Sequence, residues 1–180
     1  MRVAYFTGLR KIEKRDEPRP RIARPDDLLL RINRVGVCGS DVHYFTDGRI
    51  GQQLVEYPAT LGHECAGTVA EVGSAVKDFA AGTRVAVDPA FSCGQCDQCK
   101  AGRAHTCRNL QFMGCPGETP GAAADYRVVP ARNCLAVPDS ISLDVAALVE
   151  PLTVGYHAVG LAGLQAGARI GILGTGPIGL

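Results

Sequence analysis

Four cysteines crowd into one short stretch, and they constrain this chain more than any other feature. In "CGQCDQCKAGRAHTC", Cys93, Cys96, Cys99 and Cys107 stand at C-x2-C-x2-C-x7-C. Two-residue gaps let a tight turn aim successive sulfurs at one point, and Gly94 and Gly102 supply the backbone freedom such a turn needs. Thiolates this close stay deprotonated only around a cation. Four sulfur ligands match tetrahedral zinc and close its coordination shell. The expected metal braces a lobe and does no chemistry. An iron–sulfur cluster or unmetallated thiols are the competing readings. Cys65, Cys115 and Cys134 lie outside the cluster and read as small buried hydrophobes.

The rest of the composition narrows the class. The chain has 180 residues, 46% of them hydrophobic, with a net charge of +1. That charge disfavours nucleic acid or an acidic membrane as a partner. Residues 1–37 hold ten Lys/Arg against five Asp/Glu, but the charges alternate with apolar residues and read as solvated strand faces. No stretch approaches a signal peptide core or the roughly 20 apolar residues of a membrane span, so a cytoplasmic protein is expected.

Residues 1–150 read as mainly β. Strands are expected from Leu28 to Val35, in "CAGTVAEVG", in "GTRVAVDP", and as a pair in "ADYRVVPARNCLAVPD". Short strands at this spacing suggest a β-barrel or sandwich. After Asp139 the apolar spacing turns helical, with Ser142 as a candidate N-cap and Pro151 marking a helix end or start. "RIGILG" then reads as a buried parallel strand. Behind it, Gly174, Gly176 and Gly179 spell G-x-G-x-x-G, the turn that admits a dinucleotide pyrophosphate.

A second metal site is readable from scattered residues. Cys38 lies in "GVCGSDVHY", His63 and Glu64 in "LGHECAG", and Glu150 in "LVEPL". One thiolate, one imidazole and two carboxylates make a ligand set for zinc with an open position. Their separation in sequence leaves convergence unproved, and the choice between Glu64 and Glu150 open.

The motifs "GVCGSDVHYFTDGRIG", "YPATLGHECAGTVAEVG", the cysteine cluster, "LVEPLTVGYHA" and "GILGTGPIG" together resemble the zinc-dependent medium-chain alcohol dehydrogenases, and within them the sorbitol and xylitol dehydrogenase branch. That resemblance spans the whole chain. It implies a GroES-like β-barrel catalytic domain over 1–150. Residues 151–180 would form a linker helix and the first strand and glycine turn of a truncated Rossmann domain. It implies Cys38 and His63 as zinc ligands, with Glu64 or Glu150 as the third. Glu150 alternatively acts through bound water. It also implies Ser40 and His43 as a proton relay, and Tyr44 and Phe112 as walls of a polyol pocket. The implied reaction oxidises a secondary alcohol of a polyol, with hydride transfer to NAD. Gly39 stands where some members carry a basic residue against the cofactor pyrophosphate.

The acidic residue that would grip the adenosine ribose, about 20 positions beyond the glycine turn, falls outside these 180 residues. The chain is therefore expected to be the N-terminal portion of a longer enzyme, a homo-oligomer when full length, and inactive alone. Two alternatives stand beside this reading. One is an L-threonine dehydrogenase-like enzyme; the other is a non-catalytic, zinc-braced GroES-like module.

Overall fold

Side-chain alternation decides the architecture. Along Arg84–Val87, Val85 and Val87 are fully or nearly buried on one face, while Ala86 is buried on the other. Successive residues of a strand point to opposite faces, so this strand is covered on both sides. In the computed structural model, which describes residues 1–180, the same pattern recurs around a five-stranded antiparallel sheet.

The strands run β1 (Arg2–Gly8), β2 (Lys11–Asp16), β3 (Asp27–Val35), β4 (Arg49–Ile50), β5 (Gln53–Leu54) and β6 (Cys65–Val72). They continue as β7 (Arg84–Val87), β8 (Ala90–Phe91), β9 (Gln111–Phe112), β10 (Tyr126–Pro130) and β11 (Cys134–Ala136). Helices are α1 (Gly39–Asp47), α2 (Asp97–Lys100), α3 (Leu143–Ala147) and α4 (Val149–Ala162). The strands expected within residues 1–150 all form, and they make the central sheet in the order β10-β3-β6-β7-β11. The β1–β2 hairpin is fastened to the chain before β10, where Ala4 N donates to Ala123 O at 2.8 Å and Asp125 N to Arg2 O at 2.9 Å. Register shifts within the β3–β6 ladder bend the sheet.

The concave face holds the main core: Leu28, Leu30, Cys65, Val69, Val85, Val87, Met113, Ala122, Val129 and Cys134. Cys65 and Cys134 behave as the expected small hydrophobes, and burial pushes both thiols up to about 12. On the opposite face Ala66 and Ala86 pack against Ala146 and Ala147 of α3. Methyl groups on both sides let that helix lie close to the sheet. Ser142 caps α3, its hydroxyl accepting from Val145 N at 3.2 Å. Pro151 falls in the first turn of α4, where its missing amide proton costs nothing.

Two features at the C-terminal end differ from expectation. The helix α4 presents Leu152, Val154, Tyr156, Val159 and Leu161 to solvent. The stretch Arg169–Leu173, expected as a buried parallel strand, forms no ladder, and Ile170, Ile172 and Leu173 are exposed. A parallel strand needs a neighbour on the same sheet to take its backbone hydrogen bonds, and every ladder here is antiparallel. No helix is long and apolar enough to cross a membrane.

One buried charge sets a measurable pH dependence. Asp27 is 6% exposed, and its Oδ1 has no hydrogen-bond partner. Burial raises its carboxyl above the ordinary carboxylate value, Asp26 adds to the rise, and Arg24 and Arg132 oppose it. A raised native pKa makes the contribution to stability full below the unfolded value, about 3.9, and lost as pH climbs through the folded value. Asp27→Asn removes that loss. The melting temperature of the variant relative to wild type therefore rises between pH 3 and pH 7 in differential scanning calorimetry. A difference independent of pH would show that this carboxyl does not titrate with folding.

Candidate metal centre

The start of α1 builds one wall of the site. Cys38 is its N-cap, with extended backbone, and Asp41 lies three residues on. The Asp41 carboxylate reaches back to accept from Cys38 N at 3.0 Å through Oδ2. This is the reciprocal half of a capping box, and it fixes where the Cys38 sulfur points. The helix ends at Gly48, in the left-handed conformation at φ 69°.

Asp41 does a second job. It is buried at 6% exposure, and its Oδ1 accepts from Gly62 N at 3.2 Å and lies 4.0 Å from His63 Nδ1. One carboxylate therefore binds the helix start to the loop carrying His63 and Glu64, both 8% exposed. The result is a compact donor set: the ligand atoms of Cys38, His63 and Glu64 lie within 4.8 Å of one another. Asp41 was not singled out in the sequence. Its signal was the acidic residue at the third helix position after Cys38, a capping-box spacing that reads as structural until the partner loop is known.

Glu64 reaches this position because Gly36 lets it. Gly36 N donates to Glu64 O at 2.6 Å. A Cβ on Gly36 would collide with Glu64 Oε2 and lie 2.9 Å from Glu64 Cβ. Between the two carboxylates left open by the sequence, Glu64 is the one that joins Cys38 and His63. Glu150, in the first turn of α4, stays outside the donor set. It is close enough to feel it: burial raises its carboxyl, His63 pulls the other way, and Glu64, Asp88 and Asp41 add to the rise.

The remaining expected site residues divide. Phe112 sets its ring edge-on to His63, centroids 5.3 Å apart, and Tyr44 is buried on α1. Ser40 is half-buried but makes no hydrogen bond to His43. His43 is exposed and pairs instead with Asp47, Nδ1 to Oδ2 at 3.1 Å. Ser40 and His43, two and five residues after Cys38, thus present two separate polar groups on α1, with no direct wire between them. Gly174 has φ 100°, and the chain folds back so that Gly179 lies against the Gly174 carbonyl, leaving no room for a Cβ there.

The four-cysteine lobe is assembled as expected. The Cys93, Cys96, Cys99 and Cys107 sulfurs lie within 4.8 Å of one another, with Cys96 3.5 Å from Cys99 and 3.9 Å from Cys107. Sulfurs each about 2.3 Å from a central zinc stand about 3.8 Å apart, close to the Cys96–Cys99 and Cys96–Cys107 separations here. All eight cysteines are free thiols. Gly94 and Gly102 both take left-handed backbone, at φ 72° and 74°. Backbone amides of Gln95 and Cys96 hold the Cys93 thiol down at about 6, and those of Cys99 and Arg108 lower Cys96. Desolvation and its neighbouring sulfurs push Cys99 up to about 11. Protein dipoles ready part of the cluster; a cation is needed for the rest.

The pattern of the alcohol dehydrogenase GroES-like domain matches residues 24–139. The chain belongs to that family. It is 45% identical to a sorbitol dehydrogenase of Bacillus subtilis (strain 168) over 180 residues, which is 100% of this chain and 50% of the relative. It is 41% identical to D-xylulose reductase A of Aspergillus niger over 173 residues, 96% of this chain and 48% of the relative. Among solved structures, a zinc-binding dehydrogenase of Sinorhizobium meliloti 1021 bound to NADP superposes with a TM-score of 0.86 at 38% identity, covering 99% of this chain and 50% of the other. The chain spans about half the length of these relatives.

The Gly36–Glu64 contact gives a sharp test. Gly36→Ala displaces the Glu64 carboxylate from Cys38 and His63. Loss of an oriented ligand of this kind costs on the order of 10–100-fold in metal affinity. Chelator competition on the zinc-loaded protein should show easier release of one zinc only, the four-cysteine zinc keeping its wild-type affinity. Equal weakening of both would point to general unfolding.

Proposed function

We propose that this chain supplies the metal-holding part of a zinc-dependent, NAD(P)-linked dehydrogenase that oxidises a secondary alcohol of a polyol to a ketone. Residues 1–150 form its GroES-like catalytic domain, and residues 151–180 a linker helix and the opening of a dinucleotide-binding domain. The observation that carries the reading is the three-residue donor set Cys38–His63–Glu64. It leaves a fourth position open, beside a second, four-cysteine set that is closed. A purely structural module needs only the second. The sorbitol and xylulose chemistry named for the relatives supports the polyol class.

Zinc at the open set supplies a Lewis acid that makes an alcohol oxygen easier to deprotonate, and a nicotinamide supplies the hydride acceptor. Everything else falls to the chain. Cys38, His63 and Glu64 hold the metal, and Asp41 orients the first two. Phe112 covers one side of His63 and limits water there. Tyr44 is buried on α1, and burial and the neighbouring Cys115 push its phenol up to about 12, so it hydrogen-bonds without ionising. Ser40 Oγ receives the substrate proton as it gives up its own, and the exposed His43, which shares no hydrogen bond with it, takes up that proton through intervening solvent. Asp47 keeps a proton on His43 Nδ1 and leaves Nε2 free to accept. Glu150 lies beyond the ligands and acts on the site through its charge. The glycine turn at Gly174, Gly176 and Gly179 opens the cofactor site.

Metal analysis tests the core of this reading. Purified protein should hold two zinc ions per chain, and Cys38→Ala should hold one. The protein carrying this chain, supplied with zinc and NAD or NADP, should oxidise sorbitol or xylitol, and Cys38→Ala should reduce that rate at least about 1,000-fold, the scale of losing a metal-activated group. One zinc in the wild type, bound by the four cysteines alone, with no oxidation of any secondary alcohol, refutes the proposal.

A further inference from the structure

Cys115 does not fit the hydrophobic role its sequence context suggested. It is only half-buried, and it sits in a line of polar contacts. Tyr44 on α1 donates its phenolic hydrogen to Gln53 Oε1 at 2.6 Å. Gln53, on β5, donates Nε2 to the Cys115 sulfur at 2.9 Å. Three residues beyond Cys115, Glu118 Oε2 accepts from the Phe112 amide at 2.5 Å. The same carboxylate acts on the Cys115 thiol, which burial first and Glu118 second hold above its ordinary value. The line therefore runs from Tyr44 through Gln53, Cys115 and Glu118 to Phe112, and Phe112 rests on His63.

We propose that Gln53 and Cys115 are positioning residues that select polyols over simple alcohols at the open metal site, by holding Tyr44 and Phe112 in one arrangement and supplying polar groups to the substrate's non-reacting hydroxyls. This rests on the dehydrogenase reading above. A small secondary alcohol brings a single hydroxyl, which the metal takes. A polyol brings hydroxyls on the adjoining carbons as well, and the aromatic faces of Tyr44 and Phe112 have little for them. Commitment of the Tyr44 hydrogen to Gln53 turns the phenol's lone pairs outward as acceptors. Gln53 has a second amide hydrogen to give, and Cys115 a polarisable sulfur. Each such hydrogen bond, left unmade in a closed pocket, costs about a factor of ten in binding. Discrimination of this kind comes from sites built around buried polar groups.

The test compares sorbitol with 2-propanol, using the zinc- and NAD(P)-loaded protein carrying this chain. The variants are Gln53→Leu, Cys115→Ala and Cys115→Ser, each checked for zinc content and melting temperature. Gln53→Leu and Cys115→Ala should raise KM for sorbitol about tenfold, with kcat within about threefold, and should raise KM for 2-propanol by distinctly less. Cys115→Ser keeps a donor and an acceptor and should recover most of the loss. A second readout needs no turnover: sorbitol, and not 2-propanol at the same concentration, should slow iodoacetamide labelling of Cys115, followed by peptide mass spectrometry. A wild-type sorbitol preference that survives both substitutions, or that falls equally for both alcohols, overturns this inference and leaves the dehydrogenase reading standing. A wild type that oxidises neither alcohol overturns that reading, and this inference with it.

Discussion

A single buried carboxylate organises the open metal set. Asp41 takes one hydrogen bond from the amide of Cys38 and another from the amide before His63, and faces His63 itself. Each segment alone is unremarkable in its preferences: a helix start, and a loop leading into a strand. Held by one carboxylate inside the protein, they present a sulfur and an imidazole at ligand spacing. Hydrogen bonds to a charged, desolvated acceptor are among the stronger ones a fold can make. The Gly36–Glu64 approach then adds the third donor by the opposite means, the absence of a side chain.

The two sulfur-bearing sets illustrate how shell completeness separates structure from chemistry. Four cysteines leave a zinc ion nothing to bind but the protein. Replacing two of those thiolates by an imidazole and a carboxylate, and one position by nothing, yields a harder, more exchangeable and reactive centre. In this chain the open donor set lies on the central barrel, with His63 and Glu64 buried and Cys38 half-buried, and the four-cysteine set in a loop excursion between β8 and β9.

Much of this was legible in the residues. The strands announced themselves because alternation and turn residues are local signals, and the cysteine lobe because its ligands are neighbours in sequence. The open set was readable as a list of candidates. Its geometry was not, because Cys38 meets His63 and Glu64 only through tertiary packing, and Glu150, at the start of α4, stays outside the set. Asp41 and Gly36 were silent for a related reason: one looks like a helix cap and the other like any loop glycine, and each gains its meaning from a residue more than twenty positions away. Arg169–Leu173 failed in the other direction. Its composition suits a parallel strand, but a strand is a property of a pair, and the partner is not among these residues. Cys115 was misread because half its environment is contributed by β5 and α1.

The cysteine lobe has one further consequence. Neither α2 nor the short turn Ala104–Thr106 buries any residue, and of the whole lobe only Cys107 is buried. The barrel's apolar clusters include none of its side chains. The lobe therefore has no core of its own except the point where its sulfurs meet. Its shape depends on the sulfur cluster more than on apolar packing, unlike the sheet beneath it. Oxidation of its thiols would leave the barrel intact and erase the lobe's shape, so the two parts of one continuous chain answer to different conditions of the cell: one to temperature and solvent, the other to zinc supply and redox state.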